Sequence, residues 1–148
     1  MSSYYLDTSA LVKIYHREIG TDTMLGLYHG ADTLFISELA KIELLSTVYR
    51  KYREHGITHE TLVAVVQKFE DDLDQRYQLI KFSSLVIAEA WGFLCSTAER
   101  RGLRTLDSLQ TAFFKTYCDP TTIFVSADTV LESLVSEAGF LTLVPSEE

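Results

Sequence analysis

A chain of 148 residues, 47% hydrophobic and 23% charged, is long enough to bury a real core and is expected to fold as one globular domain spanning 1–148. Its formal charge of −8 counts against an indiscriminate nucleic-acid binder. The apolar runs are too short to span a bilayer, and a strand begins directly after Met1-Ser2-Ser3, which predicts no signal peptide, no membrane span and a cytoplasmic protein.

Tyr4-Tyr5-Leu6 reads as a short buried strand, and Asp7-Thr8-Ser9 leads from it into a helix from Thr8 to about Glu18. Gly20 interrupts, and Thr21 or Asp22 caps a short second helix ending near Gly30. Thr33–Ile36 is the second strand, followed by a long helix from Ser37 to about Glu54 whose apolar face is read as Ile42, Leu45, Val48, Tyr49 and Tyr52. Thr58 caps the next helix, which runs to about Arg76 with Leu62, Val65, Val66, Phe69 and Leu73 on one face. Glu70, Asp71, Asp72 and Asp74 form its solvated face.

Tyr77 to Phe82 is the third strand, and Ser83-Ser84 caps a helix from Leu85 to about Arg101 with a core stripe of Ala88, Trp91, Leu94, Cys95 and Ala98. Cys95 and Cys118 have no metal-ligand spacing and read as reduced core residues in helices. A further helix starts around Asp107, which stands three residues before Gln110 as in a capping box. Thr121–Ser126 is a β run, Asp128 opens a helix to about Ala138, and Phe140–Val144 is a last short strand before a frayed Glu147-Glu148. Strands alternate with helices throughout, which predicts an α/β fold with a parallel sheet covered by helices on both faces.

Four acids stand where such a fold can bring them together. Asp7 and Asp128 follow β runs, Asp107 begins a helix, and Glu43 lies off the apolar face of its helix between Leu39 and the small Ser46 and Thr47. Ligands bind at the carboxyl ends of strands in open α/β sheets. Like charges gathered in one cleft repel, and hard divalent cations relieve that repulsion. An all-oxygen set suits magnesium or manganese, whereas zinc calls for His or Cys. Such a site favours metal-assisted attack on a phosphodiester. Thr8, Ser9 and Ser126 are hydroxyls beside the acids that can hold water or phosphate oxygens.

Leu6-Asp7-Thr8-Ser9-Ala10-Leu11, Glu43, Leu106-Asp107 with Ala112, and Val125-Ser126-Ala127-Asp128 resemble the four acidic motifs of PIN-domain ribonucleases, most closely the VapC-type toxins of prokaryotic toxin–antitoxin pairs. The resemblance covers essentially the whole chain. Ser126 stands where the family commonly has Thr, keeping the hydroxyl, and Ala127 lacks the polar residue often found there. The resemblance implies a three-layer fold with sheet order 3-2-1-4-5 and a magnesium- or manganese-dependent endoribonuclease. It also implies a cognate antitoxin and a homodimer. Asp7, Glu43, Asp107 and Asp128 are then the metal-binding and catalytic acids. Basic residues that can meet RNA phosphates cluster at Arg50-Lys51-Arg53 and Arg100-Arg101-Arg104, with Lys13 and Arg17 near the first motif. Lys13, Arg100, Arg101 and Arg104 are the four expected to do so, two bound cations offsetting the acidic balance.

The antitoxin is expected between the Ser37–Glu54 helix and the Thr58–Arg76 segment, near Tyr49, Tyr52 and Phe69. A non-catalytic RNA- or protein-binding scaffold is the main rival, and loss of one acid would favour it. A housekeeping nuclease without an antitoxin is another. An aspartyl phosphoacceptor is disfavoured because Ser9 occupies the position of the second Asp such enzymes need, and a flap-type DNA nuclease because the chain is short.

Overall fold

A computed structural model describes residues 2–146. Five strands, β1 (Ser3–Leu6), β2 (Thr33–Ser37), β3 (Tyr77–Ile80), β4 (Ile123–Val125) and β5 (Thr142–Leu143), form one parallel sheet in the order β3-β2-β1-β4-β5. This is the expected 3-2-1-4-5 arrangement. Glu147-Glu148 lies outside the described residues.

Strand residues alternate between two cores, as a sheet buried on both faces requires. Leu6, Leu34, Ile36 and Val125 face α1 (Thr8–Tyr15), α2 (Thr21–Gly30), α3 (Glu38–Arg53) and α4 (His59–Gln75), packing with Leu11, Met24, Leu44 and Phe69. Tyr5, Phe35 and Phe124 face the other way, toward α5 (Ser84–Thr97), α6 (Thr105–Tyr117) and α7 (Thr129–Glu137), against Val86, Phe113, Phe114 and Leu131. The chain builds outward from β1 through β2 to β3, then crosses to β4. The strand order therefore reverses between β1 and β4, and both end at the same edge in Asp7 and Ser126.

Several element ends differ from expectation for local reasons. Helix α1 stops at Tyr15 rather than near Glu18, because the Thr21 hydroxyl donates to the Lys13 carbonyl (2.9 Å) and turns the chain. Gly20, not Thr21 or Asp22, is the N-cap of α2. Its φ is +91°, and a Cβ there would come within 2.8 Å of the Pro145 carbonyl oxygen. Strand β3 ends at Ile80, since the Phe82 N–H leaves the ladder to donate to Glu38 Oε1 (2.6 Å) and its ring packs edge-on to Phe113.

Two helix faces and one acid are also corrected. The buried stripe of α3 is Ala40, Leu44 and Val48, so of the expected face only Val48 is core, while Ile42, Tyr49 and Tyr52 are exposed. The buried stripe of α5 is Val86, Ala90 and Phe93, leaving Trp91 and Cys95 outside. Both helices carry apolar residues on two sides, so periodicity fits either register. Cys118 follows the end of α6 and is half-buried; both cysteines are free. Asp72 is not solvated but buried, three residues after Phe69 on the inner stripe of α4.

Candidate active site

Asp7 leaves β1 and caps α1, and its backbone N–H still donates to the Val125 carbonyl at 3.0 Å, fixing it at the strand switch point. Both its oxygens are engaged. Oδ1 accepts from Ser9 Oγ (2.6 Å) and the Ala10 N–H (3.1 Å), and Oδ2 accepts from Ser126 Oγ (2.8 Å). Ser9 Oγ in turn accepts from the Ala127 N–H at 2.9 Å, and Ser126 Oγ from the Asp128 N–H at 3.1 Å. The two hydroxyls thus clamp the β1 and β4 ends together around one carboxylate. Burial pushes the Asp7 carboxyl up to about 6, against the lowering effect of Ser9, Ser126 and Ala10, with Asp128 adding to the rise.

Glu43, on α3, receives Thr8 Oγ1 (2.9 Å) and Gln110 Nε2 (3.0 Å), both on Oε1. Gln110 Nε2 also lies 3.2 Å from Thr8 Oγ1, and Gln110 Oε1 accepts from Tyr5 Oη at 2.5 Å. Burial raises the Tyr5 hydroxyl well above its ordinary value, so it stays a donor. A core tyrosine therefore orients a buried glutamine, which orients Glu43. Neither Tyr5 nor Gln110 was anticipated as a site residue. The available signal was Gln110 lying three and four residues before Phe113 and Phe114, a polar side chain on the buried face of α6.

Asp107 is the third residue of α6, not its cap, and its Oδ2 takes the Arg104 N–H at 3.4 Å with Arg104 Nε at 3.6 Å. Asp128 does cap α7, its Oδ1 accepting from the Val130 and Leu131 N–H groups at 3.0 and 3.1 Å. All four acids line one cleft of about 650 Å³, with Thr8, Ser9, Leu103, Arg104 and Gln110. Glu43 Oε2, Asp107 Oδ1 and Asp128 Oδ2 have no protein hydrogen bond among the described residues. The acids share the cleft without closing on one point: among the described residues no three His, Cys, Asp or Glu side chains form a ready-made metal cage.

The three hydroxyls donate to the acids, Thr8 to Glu43, and Ser9 and Ser126 to Asp7, and Thr8 and Ser9 line the cleft. The basic residues separate. Lys13 is buried, its ammonium donating to Glu18 Oε1 (3.0 Å) and the Ile19 carbonyl (2.6 Å), and it lines a second hollow beside the cleft. Arg100 and Arg101 line another hollow, Arg101 paired with Glu137. Of the four, Arg104 alone lines the acidic cleft. The second hollow shares Thr8, Ser9, Glu43 and Asp128 with the cleft and is bordered by Arg50 and Lys51.

A parallel three-layer domain with carboxylates gathered at its strand switch point defines an acidic-cleft α/β class. The chain belongs to the PIN-domain family, whose model matches residues 4–134. No curated protein matches it in sequence. Solved structures of similar fold include VapC20 of Mycobacterium tuberculosis, described as a sarcin–ricin loop cleaving toxin. It has TM-score 0.71 and 18% identity, over 97% of this chain and 100% of that one. FitAcB of Neisseria gonorrhoeae has TM-score 0.74 and 12% identity, over 96% and 97%. A DNA-bound VapBC of Salmonella typhimurium has TM-score 0.66 and 14% identity, over 97% and 98%. At these identities the likeness is one of fold. Among the described residues no helix is long and apolar enough to cross a membrane.

Proposed function

We propose that the chain is a magnesium- or manganese-dependent endoribonuclease, folded as a single domain, and the toxin of a toxin–antitoxin pair. The observation that carries this reading is one cleft lined by Asp7, Glu43, Asp107 and Asp128, three of them with an oxygen that no group among the described residues satisfies. The residues fit a hard cation. Every donor is oxygen, and magnesium keeps several waters and needs only one or two carboxylates, so no cage of three acids is required. Asp7, Glu43, Asp107 and Asp128 would hold it. Bound there, the ion supplies Lewis acidity toward the scissile phosphate and a water of lowered pKa.

The chain's own groups do the positioning. Ser9 and Ser126 fix both oxygens of Asp7, and Gln110 and Thr8 fix Glu43, so neither carboxylate reorganises as charge develops. Arg104 at one rim and Arg50 and Lys51 at the other offer positive charge to flanking RNA phosphates, giving few phosphate contacts in keeping with the acidic chain.

The partner reading follows from the same cleft and its surroundings, and from neighbours that are toxins or toxin–antitoxin complexes. An antitoxin segment laid on the exposed Ile42, Tyr49 and Tyr52 of α3 could send an Arg into the acids in place of metal. Phe69 is core and takes no part in that surface. The protein acts in the cytoplasm as a homodimer in this reading. Its test is cleavage of total RNA after chelation and after magnesium or manganese add-back, with the ends sequenced. Loss and recovery of cleavage with 5′-phosphate and 3′-hydroxyl products is the expected result. Undiminished cleavage by metal-free protein would overturn the metal role, and no cleavage in any metal would favour a binding scaffold.

A further inference from the structure

The four acids make up only part of the cleft lining. Four leucines border the same space, Leu94 of α5, Leu103 and Leu106 around the start of α6, and Leu131 of α7. Leu103 rests on Phe93 and Leu134, and Leu131 belongs to the core of Phe113 and Phe124, so both are held firmly. Leu106 is different. It is the second residue of α6, directly before Asp107, and it is 48% exposed and takes no part in the core clusters. An apolar wall does nothing for a cation or a phosphate. At about 650 Å³ the cleft also has the size of a site for a small organic ligand rather than for a bare ion.

We propose that this leucine wall seats one unstacked base of the RNA, the base of a nucleotide flanking the scissile phosphate, with Leu106 as the contact that sets base preference. The proposal rests on the nuclease reading above and narrows its substrate to RNA that is single-stranded at the cut, where a base is free to turn out of its stack. Continuity selects this occupant. The wall and the acids share one cleft, so a nucleotide whose phosphate lies at the acids has its base within reach of the leucines. Charge selects it too. The neighbouring carboxylates repel a further phosphate, and Arg104 is the only cation lining the cleft among the described residues, whereas a base is flat and uncharged. Enzymes that take a base out of its stack hold it between aromatic or apolar side chains. Leucine methyls supply contact area without hydrogen bonds, so the wall ranks bases by size, purine above pyrimidine and any base above none.

Leucine-methyl NMR spectra of the full chain in magnesium test the wall without turnover. Adenosine 5′-monophosphate should move the Leu103 and Leu106 methyls upfield, cytidine 5′-monophosphate should move them less, and ribose 5-phosphate, which has the phosphate but no base, should leave them in place. Leu106→Ala removes no core contact, so its melting temperature should be unchanged, while its affinity for adenosine 5′-monophosphate should fall about fivefold or more. The second arm uses a single-stranded RNA oligomer built around a cut site read from sequenced ends. One abasic position beside the cut should raise KM about tenfold in the wild type and less than about twofold in Leu106→Ala. Leu85→Ala, at an exposed leucine of α5 outside the cleft, should change neither readout. Methyls that answer ribose 5-phosphate as strongly as the nucleotide, abasic positions that leave KM unaltered on both sides of the cut, or undiminished base preference in Leu106→Ala would each overturn the proposal. So would methyls that move only when an antitoxin is added, since the wall would then belong to the protein partner. RNA left uncut in every metal would strike the nuclease reading instead, and the nucleotide titration would still decide whether a base seats on the leucines.

Discussion

Asp7 and Asp72 expose equally little surface, 4% and 3%. Asp7 lies deep in the fold and Asp72 nearer its surface beside the exposed Lys68, and their carboxyls move in opposite directions. Burial opposes ionisation of both. At Asp7 burial prevails over two serine hydroxyls and one backbone N–H, and Asp128 adds its own charge to the opposition. At Asp72 hydrogen bonds from Tyr15 (2.6 Å), Lys68 (2.9 Å) and Tyr28 (2.7 Å) prevail instead, holding the carboxyl below its ordinary range. Burial raises the Tyr15 and Tyr77 hydroxyls, which lie 2.7 Å apart, so both remain protonated. One buried acid has been given a cation of its own; among the described residues the other has none, Arg104 in the same cleft pairing with Asp107 instead. Unrelieved buried charge in a cleft is the mark of a functional carboxylate, and relieved charge is the mark of a structural one.

The sharpest way to break this contrast is to neutralise each acid isosterically. Asp7→Asn is expected to lower RNA cleavage by about a thousandfold or more, a loss of about 4 kcal/mol of transition-state stabilisation. In metal-free buffer it should also raise stability by up to about 3 kcal/mol, the penalty of ionising a carboxyl lifted from 3.8 to about 6. Turnover and urea denaturation of the same preparation check both. Wild-type cleavage by the variant would return Asp7 to a helix cap, a role Asn fills equally well. Asp72→Asn should do the reverse, costing about 2–4 kcal/mol of stability through lost charge-assisted bonds while turnover per folded molecule is unchanged.

Why Asp7 was legible in sequence and Asp72 was not follows from the same geometry. Asp7 depends on neighbours in its own motif, Ser9 and Ala10, and on a second motif with the same strand-then-hydroxyl pattern. Glu43, Asp107 and Asp128 were readable for similar reasons, each at a helix start or off an apolar stripe. Asp72 depends on Tyr15, Tyr28 and Tyr77, separated along the chain and joined only by folding, and it lies in a run of acids that resembles a solvated face. The burial of Lys13 was hidden in the same way, since its partners Glu18 and Ile19 come into reach only because the chain turns after Tyr15. Sheet order was accessible through the family resemblance and strand–helix alternation. The inner faces of α3 and α5 were not, because each helix has two apolar sides and only the second layer decides between them.

The two acids should also bend the stability curve oppositely with pH. Asp7 has a raised folded-state value, so the fold holds its proton more tightly. Its contribution is complete below about 3.8 and is lost as pH rises through about 6. Asp72 has a lowered one, so its contribution is present above 3.8 and is lost as pH falls below that value. Denaturation in chelator from pH 4 to 7 should therefore show a decline of about 2–3 kcal/mol that Asp7→Asn removes. A flat profile in wild type would mean that another group relieves Asp7. Saturating magnesium should flatten the decline as well, because a bound cation lowers the carboxyl again.

The smallest expected effect sharpens the comparison most finely, since it asks what relieves Asp72. Lys68 reaches both Asp72 Oδ1 (2.9 Å) and Tyr28 Oη (2.8 Å), but its side chain is 58% exposed. Water and salt screen such a pair, and ordering a long side chain offsets part of the gain. The Tyr15 and Tyr77 hydroxyls stand partly buried, their rings packed on Phe69, where water competes less. Lys68→Met keeps the side-chain length, and should cost no more than about 1 kcal/mol, falling toward zero in molar salt. Tyr15→Phe removes one partly buried donor and should cost about 1–3 kcal/mol with little dependence on salt, because it leaves a carboxylate oxygen short of a partner. Thermal denaturation of the two variants at low and high salt separates these outcomes. If Lys68→Met proved the more damaging and its effect survived high salt, the ammonium rather than the tyrosines would be what keeps Asp72 ionised, and the distinction between a relieved and an unrelieved buried acid would rest on a single ion pair.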